Sequence, residues 1–336
     1  MAVKLGRQTW APGRIPVIVQ TGTVVGPIEG EGPLREWFDR VYTDPVAGER
    51  SFEQAEKEMM LNACYTALHK AGKTPTDVDF FLAGDLLNQI ITSGFAALSL
   101  QIPFLGLYGA CSTAAESLAV AAALVDAGCA GLVLCAVSSH NSTAERQYRY
   151  PTEYGSFRKP TAQGTVTGAG AALVAAEGNG PRITHVTVGV VEDYGIKDPF
   201  NLGAAMAPAA ATTLARHFAD TGRSPDYYDL IVTGDLGSFG HRLMLDLVAE
   251  KGGFDLTKNS QDCGVMIYDA ERQDVHAGGS GCACSAVVVF GYLYRQMVAG
   301  NLRRLLLCAT GALHSPTSVQ QGEDIPVIAH AVSLEM

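Results

Sequence analysis

Two stretches of the chain, 150 positions apart, carry one pattern. In "GKTPTDVDFFLAGDLL" (72–87) the residues Gly72, Pro75, Asp79, Gly84, Asp85 and Leu86 match Gly222, Pro225, Asp229, Gly234, Asp235 and Leu236 of "GRSPDYYDLIVTGDLG" (222–237). Each copy reads as a helix stopped at glycine, a proline turn and a short unbroken apolar run, the signature of a strand buried on both faces. A second match follows at an offset of 172 to 173: "GACSTAAESLAVAAALVDAGCAGLVLCAVSS" (109–139) against "GCACSAVVVFGYLYRQMVAGNLRRLLLCATGA" (281–312). Both read as a small-residue turn, an apolar helix, a glycine stop and another buried strand.

A chain that repeats strand–helix–strand units must cover both faces of a parallel or mixed sheet with helices, twice. The expected fold is α/β, with two duplicated halves in five layers, α-β-α-β-α. The halves are placed at 1–185 and 186–336 in one compact unit. The polar, aromatic and basic segment 141–165, "NSTAERQYRYPTEYGSFRKPTAQGT", is an excursion from the first half. It is placed to cap a pocket or to pair two subunits.

Composition narrows the class. The chain has 336 residues, 47% hydrophobic and 17% charged, with net charge −10. Such a chain has core to spare and no basic patch for nucleic acid. The eight cysteines lack zinc spacing, and several sit in apolar runs such as "LVLCAV" and "LLLCAT". They read as buried thiols of a reducing compartment. The spacing of Cys282 and Cys284 does not make a metal site with only two soft ligands. The N-terminus has no signal core. Residues 86–115 carry no charge, but Asn88, Gln89, Gln101, Pro103 and glycines break them. They are read as buried elements of a soluble core rather than a membrane span.

Ligands of such sheets gather at strand C-terminal ends. Asp85, Asp235 and His140 stand there, with Asn88 close behind. The two aspartates are candidates to bind a calcium ion through oxygen or to cap the turns that follow. His140 reads either as a cleft residue or as a satisfied structural histidine. Cys111, in "GLYGACSTAAES" (106–117), opens a helix whose dipole favours an anion, thiolate or carboxylate. In the excursion, Arg146, Arg149 and Arg158 alternate with Tyr148, Tyr150 and Tyr154. Arginine grips carboxylates and tyrosine stacks on rings, and the same mixture suits a subunit interface.

A cysteine at a helix start in a duplicated α/β chain resembles the thiolase and ketoacyl synthase superfamily. "FLAGDLLNQ", "LYGACST", "SSHNSTAERQYRYPTEYG", "TVTGAGAAL", "AMAPAAATT", "CGVMIYD" and "AGGSGCACSAVV" together resemble the stage V sporulation protein AD family over essentially the whole chain. That resemblance implies binding of dipicolinate (pyridine-2,6-dicarboxylate) or its calcium chelate. It also implies a peripheral subunit of a spore inner-membrane channel that takes dipicolinate up in sporulation and releases it in germination. Membrane attachment would then come through the other channel subunits, and a homodimer is the superfamily's usual state. No cofactor is implied beyond calcium entering with the ligand.

The superfamily's enzymes need a histidine after the second repeat's strand, and a histidine or asparagine at the matching helix start. Here those positions fall near Gly234 and in "GGSG" (278–281). Cys111 is therefore expected to be a wall residue of the old nucleophile hole, with Asp85, Asn88, His140, Arg149, Asp235 and Ser280 as further ligand contacts. The alternative is an acyltransferase that uses Cys111 with an unusual base, His241 or His276. A third reading is a structural subunit with an empty cleft.

Overall fold

The computed structural model describes residues 2–148 and 159–336. The strand order displays the duplication. From one edge the first half runs Phe104–Gly106, Phe80–Gly84, Leu132–Ser139, Gly168–Ala175 and Val17–Val25. From the other edge the second half runs Ser260–Asp262, Leu230–Thr233, Arg304–Ala312, Val327–Glu335 and Arg182–Val188. Numbered within each half, both orders are 3-2-4-5-1. The two sets meet only where Val17 pairs Arg182. The boundary expected at 185/186 falls inside Arg182–Val188, the strand that opens the second half.

The repeated residues do repeated work. Gly72 and Gly222 follow the helices Phe52–Lys70 and Leu202–Thr221 with φ of 63° and 67°, the left-handed turn that glycine reaches without a Cβ penalty. Pro75 and Pro225 each open a short 3₁₀ turn. Asp79 accepts the N–H groups of Gly131 and Leu132 at 2.7 and 3.0 Å. Asp229 accepts those of Arg303 and Arg304 at 2.8 and 2.9 Å. Each aspartate thus pins the start of its half's fourth strand.

Three apolar clusters separate the layers. Helices Phe52–Lys70 and Ile91–Leu100 cover the first half's outer face, and Leu202–Thr221 and Gly237–Gly252 cover the second's. Between the sheets lie Thr113–Asp126 and the helical run 282–298, which widens to a π-turn over Val288–Leu293. Alanine and glycine let these layers approach closely. A Cβ on Gly240 would lie 2.5 Å from the Gly203 carbonyl oxygen of the neighbouring helix, whereas one on Gly94, inside Ile91–Leu100, would meet nothing within 4 Å. Gly240→Ala should therefore cost about 1–3 kcal/mol by overpacking, and Gly94→Ala should gain roughly 0.5–1 kcal/mol. Denaturant unfolding of the two variants checks the opposite signs.

The uncharged run 86–115 is less buried than expected. Phe95 is 53% and Leu98 65% exposed, with Ile91 and Leu105 also open to solvent. The helix is amphipathic and lies on the outer layer, and Phe104–Gly106 is an edge strand. Among the described residues no helix is long and apolar enough to cross a membrane.

Candidate functional site

Cys111 sits in a 3₁₀ turn, Ala110–Ser112, that leads into the helix Thr113–Asp126. The turn bends sharply because Ala110 takes φ of 50°. Local hydroxyls tie it down: Ser112 Oγ donates to the Gly109 carbonyl at 2.7 Å, and Thr113 Oγ1 donates to the Ala110 carbonyl at 2.7 Å. The Ser112 N–H is also spent, on the Gly109 carbonyl. Fewer helix-start donors are therefore open to a carboxylate than the sequence suggests.

The neighbour of Cys111 is a carboxylate. Asp235 is fully buried, and its charge acts on the Cys111 thiol. Its Oδ1 accepts from Thr310 Oγ1 at 2.7 Å, and its Oδ2 accepts from Ser280 Oγ at 2.8 Å and the Gly281 N–H at 3.1 Å. Burial pushes Asp235 up to about 6 despite these donors. Burial first, then the Asp235 and Cys282 charges, pushes the Cys111 thiol well above its ordinary value. A catalytic cysteine needs a base that accepts its proton or a cation that stabilises thiolate. Here burial and a nearby negative group keep the proton on sulfur.

Neither alternative base reaches the pocket around Cys111. His241 Nε2 lies 2.8 Å from Ser260 Oγ, beside Asp262. His276 faces Asp274 at 3.2 Å. His140 is buried elsewhere: its Nδ1 accepts the Ser142 N–H at 3.1 Å, so Nε2 carries the proton and donates to the Pro45 carbonyl at 2.7 Å. Its ring packs on Phe52, 5.0 Å between centroids, and burial lowers its basicity. His140 is thus a satisfied structural histidine and not a cleft residue. Asp85 also turns inward, as a cap: its oxygens accept the Leu87 N–H at 2.9 Å, the Ser93 N–H at 2.8 Å and Ser93 Oγ at 2.7 Å. The symmetric pair Asp85 and Asp235 is therefore spent on protein donors, not arranged as calcium ligands. Among the described residues no group of three or more histidine, cysteine or acidic side chains could hold a metal ion. Arg149, Tyr150, Tyr154 and Arg158 lie outside the described residues.

Two neighbouring cavities share part of their walls. The inner one is about 30 Å³, the room of one water, and is lined by Cys111, Ser280, Gly281, Leu86, Tyr148 and His314 among others. The outer one is about 310 Å³ and is lined by Asn88, Gln89, Ile90, Tyr108, Tyr148 and His314 among others. Tyr148 and His314 belong to both, with ring centroids 4.9 Å apart, so they form the partition. The Tyr148 hydroxyl donates to the Leu86 carbonyl and meets the Tyr108 hydroxyl at 3.3 Å. Of the expected contacts, Cys111 and Ser280 line the inner cavity and Asn88 the outer one, while Asp235 stands directly behind the inner wall.

His314, Tyr108 and Thr310 are additions that the residue-by-residue reading missed. The repeat held a signal for His314: "LCAVSSH" (134–140) in the first half answers "LCATGALH" (307–314) in the second. The first histidine went into the core and the second to the cavity.

Comparison with solved structures sets the class. The human mitochondrial 3-ketoacyl-CoA thiolase matches with a TM-score of 0.59 at 14% identity, covering 97% of this chain and 99% of that one. The 3-oxoacyl-[acyl-carrier-protein] synthase III of Aquifex aeolicus VF5 matches at 0.58 and 15% identity, covering 96% and 100%. The fold is thus that of the thiolase-like proteins. The family profile described as Stage V sporulation protein AD matches residues 6–335. Stage V sporulation protein AD of Bacillus subtilis (strain 168) is 49% identical over 330 residues, 98% of this chain and 97% of that protein. The chain belongs to the stage V sporulation protein AD family.

Proposed function

We propose that this sporulation protein binds dipicolinate, or its calcium chelate, without catalysis, as a peripheral subunit of the spore inner-membrane channel for that ligand. The observation that carries the reading is the burial of Cys111 near the buried Asp235, which together keep the thiol protonated in a fold whose enzymes need it ionised. Cavity size then decides where a ring of about a dozen atoms could sit. The inner space of about 30 Å³ excludes it, and the outer space of about 310 Å³ is at the scale of small-ligand sites. Tyr108, Tyr148 and His314 offer ring faces and polar tips there, and Asn88 offers an amide. No lysine or arginine lines it among the described residues. The charge of a dianion would fall to Arg149, next along the chain from Tyr148, and to calcium carried by the ligand.

A homodimer is part of the proposal. The exposed Ile91, Phe95, Leu98 and Leu105 surround an open strand edge in the uncharged run 86–115, where two copies of a chain of net charge −10 could meet without like-charge repulsion. Attachment to the membrane through other channel subunits completes it.

The test is a calorimetric titration with dipicolinate, with and without calcium. Wild type should bind saturably, Tyr148→Ala about tenfold more weakly from lost stacking, and Cys111→Ala almost as wild type. Loss of binding in Cys111→Ala but not in Tyr148→Ala would move the ring into the old nucleophile hole. No saturable binding by wild type would overturn the reading. Sedimentation of the same wild-type sample as a monomer would remove the dimer.

A further inference from the structure

Behind the outer cavity lie two buried carboxylates that the proposed binding does not use. Glu56 and Asp85 are both buried. The strand register brings them together: Gly84 pairs Val137, so Asp85 follows alongside Ser138, and Ser138 Oγ donates to Glu56 Oε1 at 2.9 Å.

Each carboxylate holds one wall of the cavity. Asp85 gathers the N–H groups of Leu87 and Ser93, with the Ser93 hydroxyl, and so closes the turn that presents Asn88, Gln89 and Ile90. That turn is strained, since Gln89 and Ile90 have φ of 58° and 47°, the latter at a β-branched residue. Glu56 Oε2 accepts from Thr143 Oγ1 at 3.1 Å, in the first turn of the helix Asn141–Tyr148. The far end of that helix carries Tyr148, and Gln147 ties it back to the same turn: Gln147 Nε2 donates to the Leu86 carbonyl at 2.8 Å, and the Asn88 N–H donates to Gln147 Oε1 at 3.1 Å.

We propose that the Glu56–Asp85 pair is a proton-linked latch on this cavity. With one of the two carboxyls protonated both walls stay pinned and the cavity binds its anion. When that proton leaves, two buried like charges face each other, the strained 86–90 turn and the 141–148 helix loosen, and the ligand is released. The inference rests on the binding reading above for its ligand but not for its geometry.

Other groups around the pair are accounted for. Glu53, on the Glu56 helix, is ion-paired with Arg146. His140 is held neutral by burial. Cys282, in the central helical run, is kept a thiol by burial and by these carboxylates. Tyr108 and Tyr148 on the cavity wall are pushed upward by burial. His314 also faces the cavity, and the variant below separates it from the pair. Burial and the Asp85 charge push Glu56 up to about 8, so the proton leaves in mildly alkaline solution.

The experiment is dipicolinate titration from pH 7 to pH 9 with wild type and Glu56→Gln. Carboxylates of the ligand titrate near 4 and stay constant over this range. Wild-type affinity should fall about tenfold across it, and Glu56→Gln should hold its pH 7 affinity. A flat wild-type profile, or an equal fall in Glu56→Gln, overturns the latch. Absence of dipicolinate binding at every pH would defeat the functional reading alone. Hydrogen exchange on the ligand-free proteins then decides the latch. At pH 9 the Leu87, Asn88 and Ser93 amides should be less protected in wild type than in Glu56→Gln, and equal protection overturns it.

Discussion

Asp235→Ala is expected to lower the unfolding free energy by about 2–4 kcal/mol at pH 5. The substitution strands three donors, Thr310 Oγ1, Ser280 Oγ and the Gly281 N–H, in a space with room for about one water. A stranded buried donor costs about 1–3 kcal/mol, and hydroxyls recover part by turning to other acceptors. The deficit should narrow toward pH 8, because only wild type has to ionise a buried carboxylate whose folded-state value is about 6. Asp235→Asn, which keeps the shape, should cost less. It should also speed alkylation of Cys111, since the charge opposing thiolate is gone. Urea unfolding at the two pH values and thiol labelling of the two variants check both halves. A wild-type-like Asp235→Ala would mean the carboxylate does not organise this site.

The second large effect is a stability maximum near pH 6.5. Burial depresses His217 to about 3 and His185 and His330 to about 4. A depressed histidine stabilises fully above its unfolded value near 6.5, and that contribution is lost as pH falls toward the folded value. Buried carboxyls act in the opposite sense: the contribution of Asp235 and Glu56 is full below about 4 and is lost as pH rises through 6 for Asp235 and 8 for Glu56, and burial raises Glu29, Asp85, Glu116 and Asp262 in the same direction. Stability should therefore rise with pH up to about 6.5. It should then fall toward 8, with Glu56 contributing about 1.4 kcal/mol per pH unit. Above pH 9 the fall should steepen, as seven buried cysteines keep protons that the unfolded chain releases. Chemical denaturation between pH 4.5 and 9.5 reads the curve. Glu56→Gln should flatten the limb between 6.5 and 8, and an unchanged limb would reject that assignment.

Much of this architecture was legible because the repeat is itself structural. Gly72, Pro75 and Asp79 share their tasks with Gly222, Pro225 and Asp229, and those tasks are local: stop a helix, open a turn, pin a strand. Asp85 and Asp235 also recur, and their place at strand ends was clear. Their use was not, because it depends on which donors the fold delivers. Ser93 reaches Asp85 from eight residues away, and Thr310 reaches Asp235 from seventy-five. Periodicity cannot show a contact of that range. His140 illustrates the same limit. It ends its strand as His314 nearly does, but Pro45 and Phe52 close over it, while the one extra residue in "LCATGALH" leaves His314 at the cavity. The uncharged run 86–115 looked buried because charge is absent; an exposed edge that avoids charge has the same composition.

The proposed function requires that Cys111 of this thiolase-like fold does not act as a nucleophile. The most direct measurement is the intact mass of the wild-type protein after prolonged incubation with short- and medium-chain acyl-CoA thioesters at pH 7.5. The mass should stay unchanged, because burial and the Asp235 charge keep the Cys111 proton on sulfur. An acyl adduct that peptide mapping places on Cys111 would contradict the account and restore acyl transfer as the function of the site.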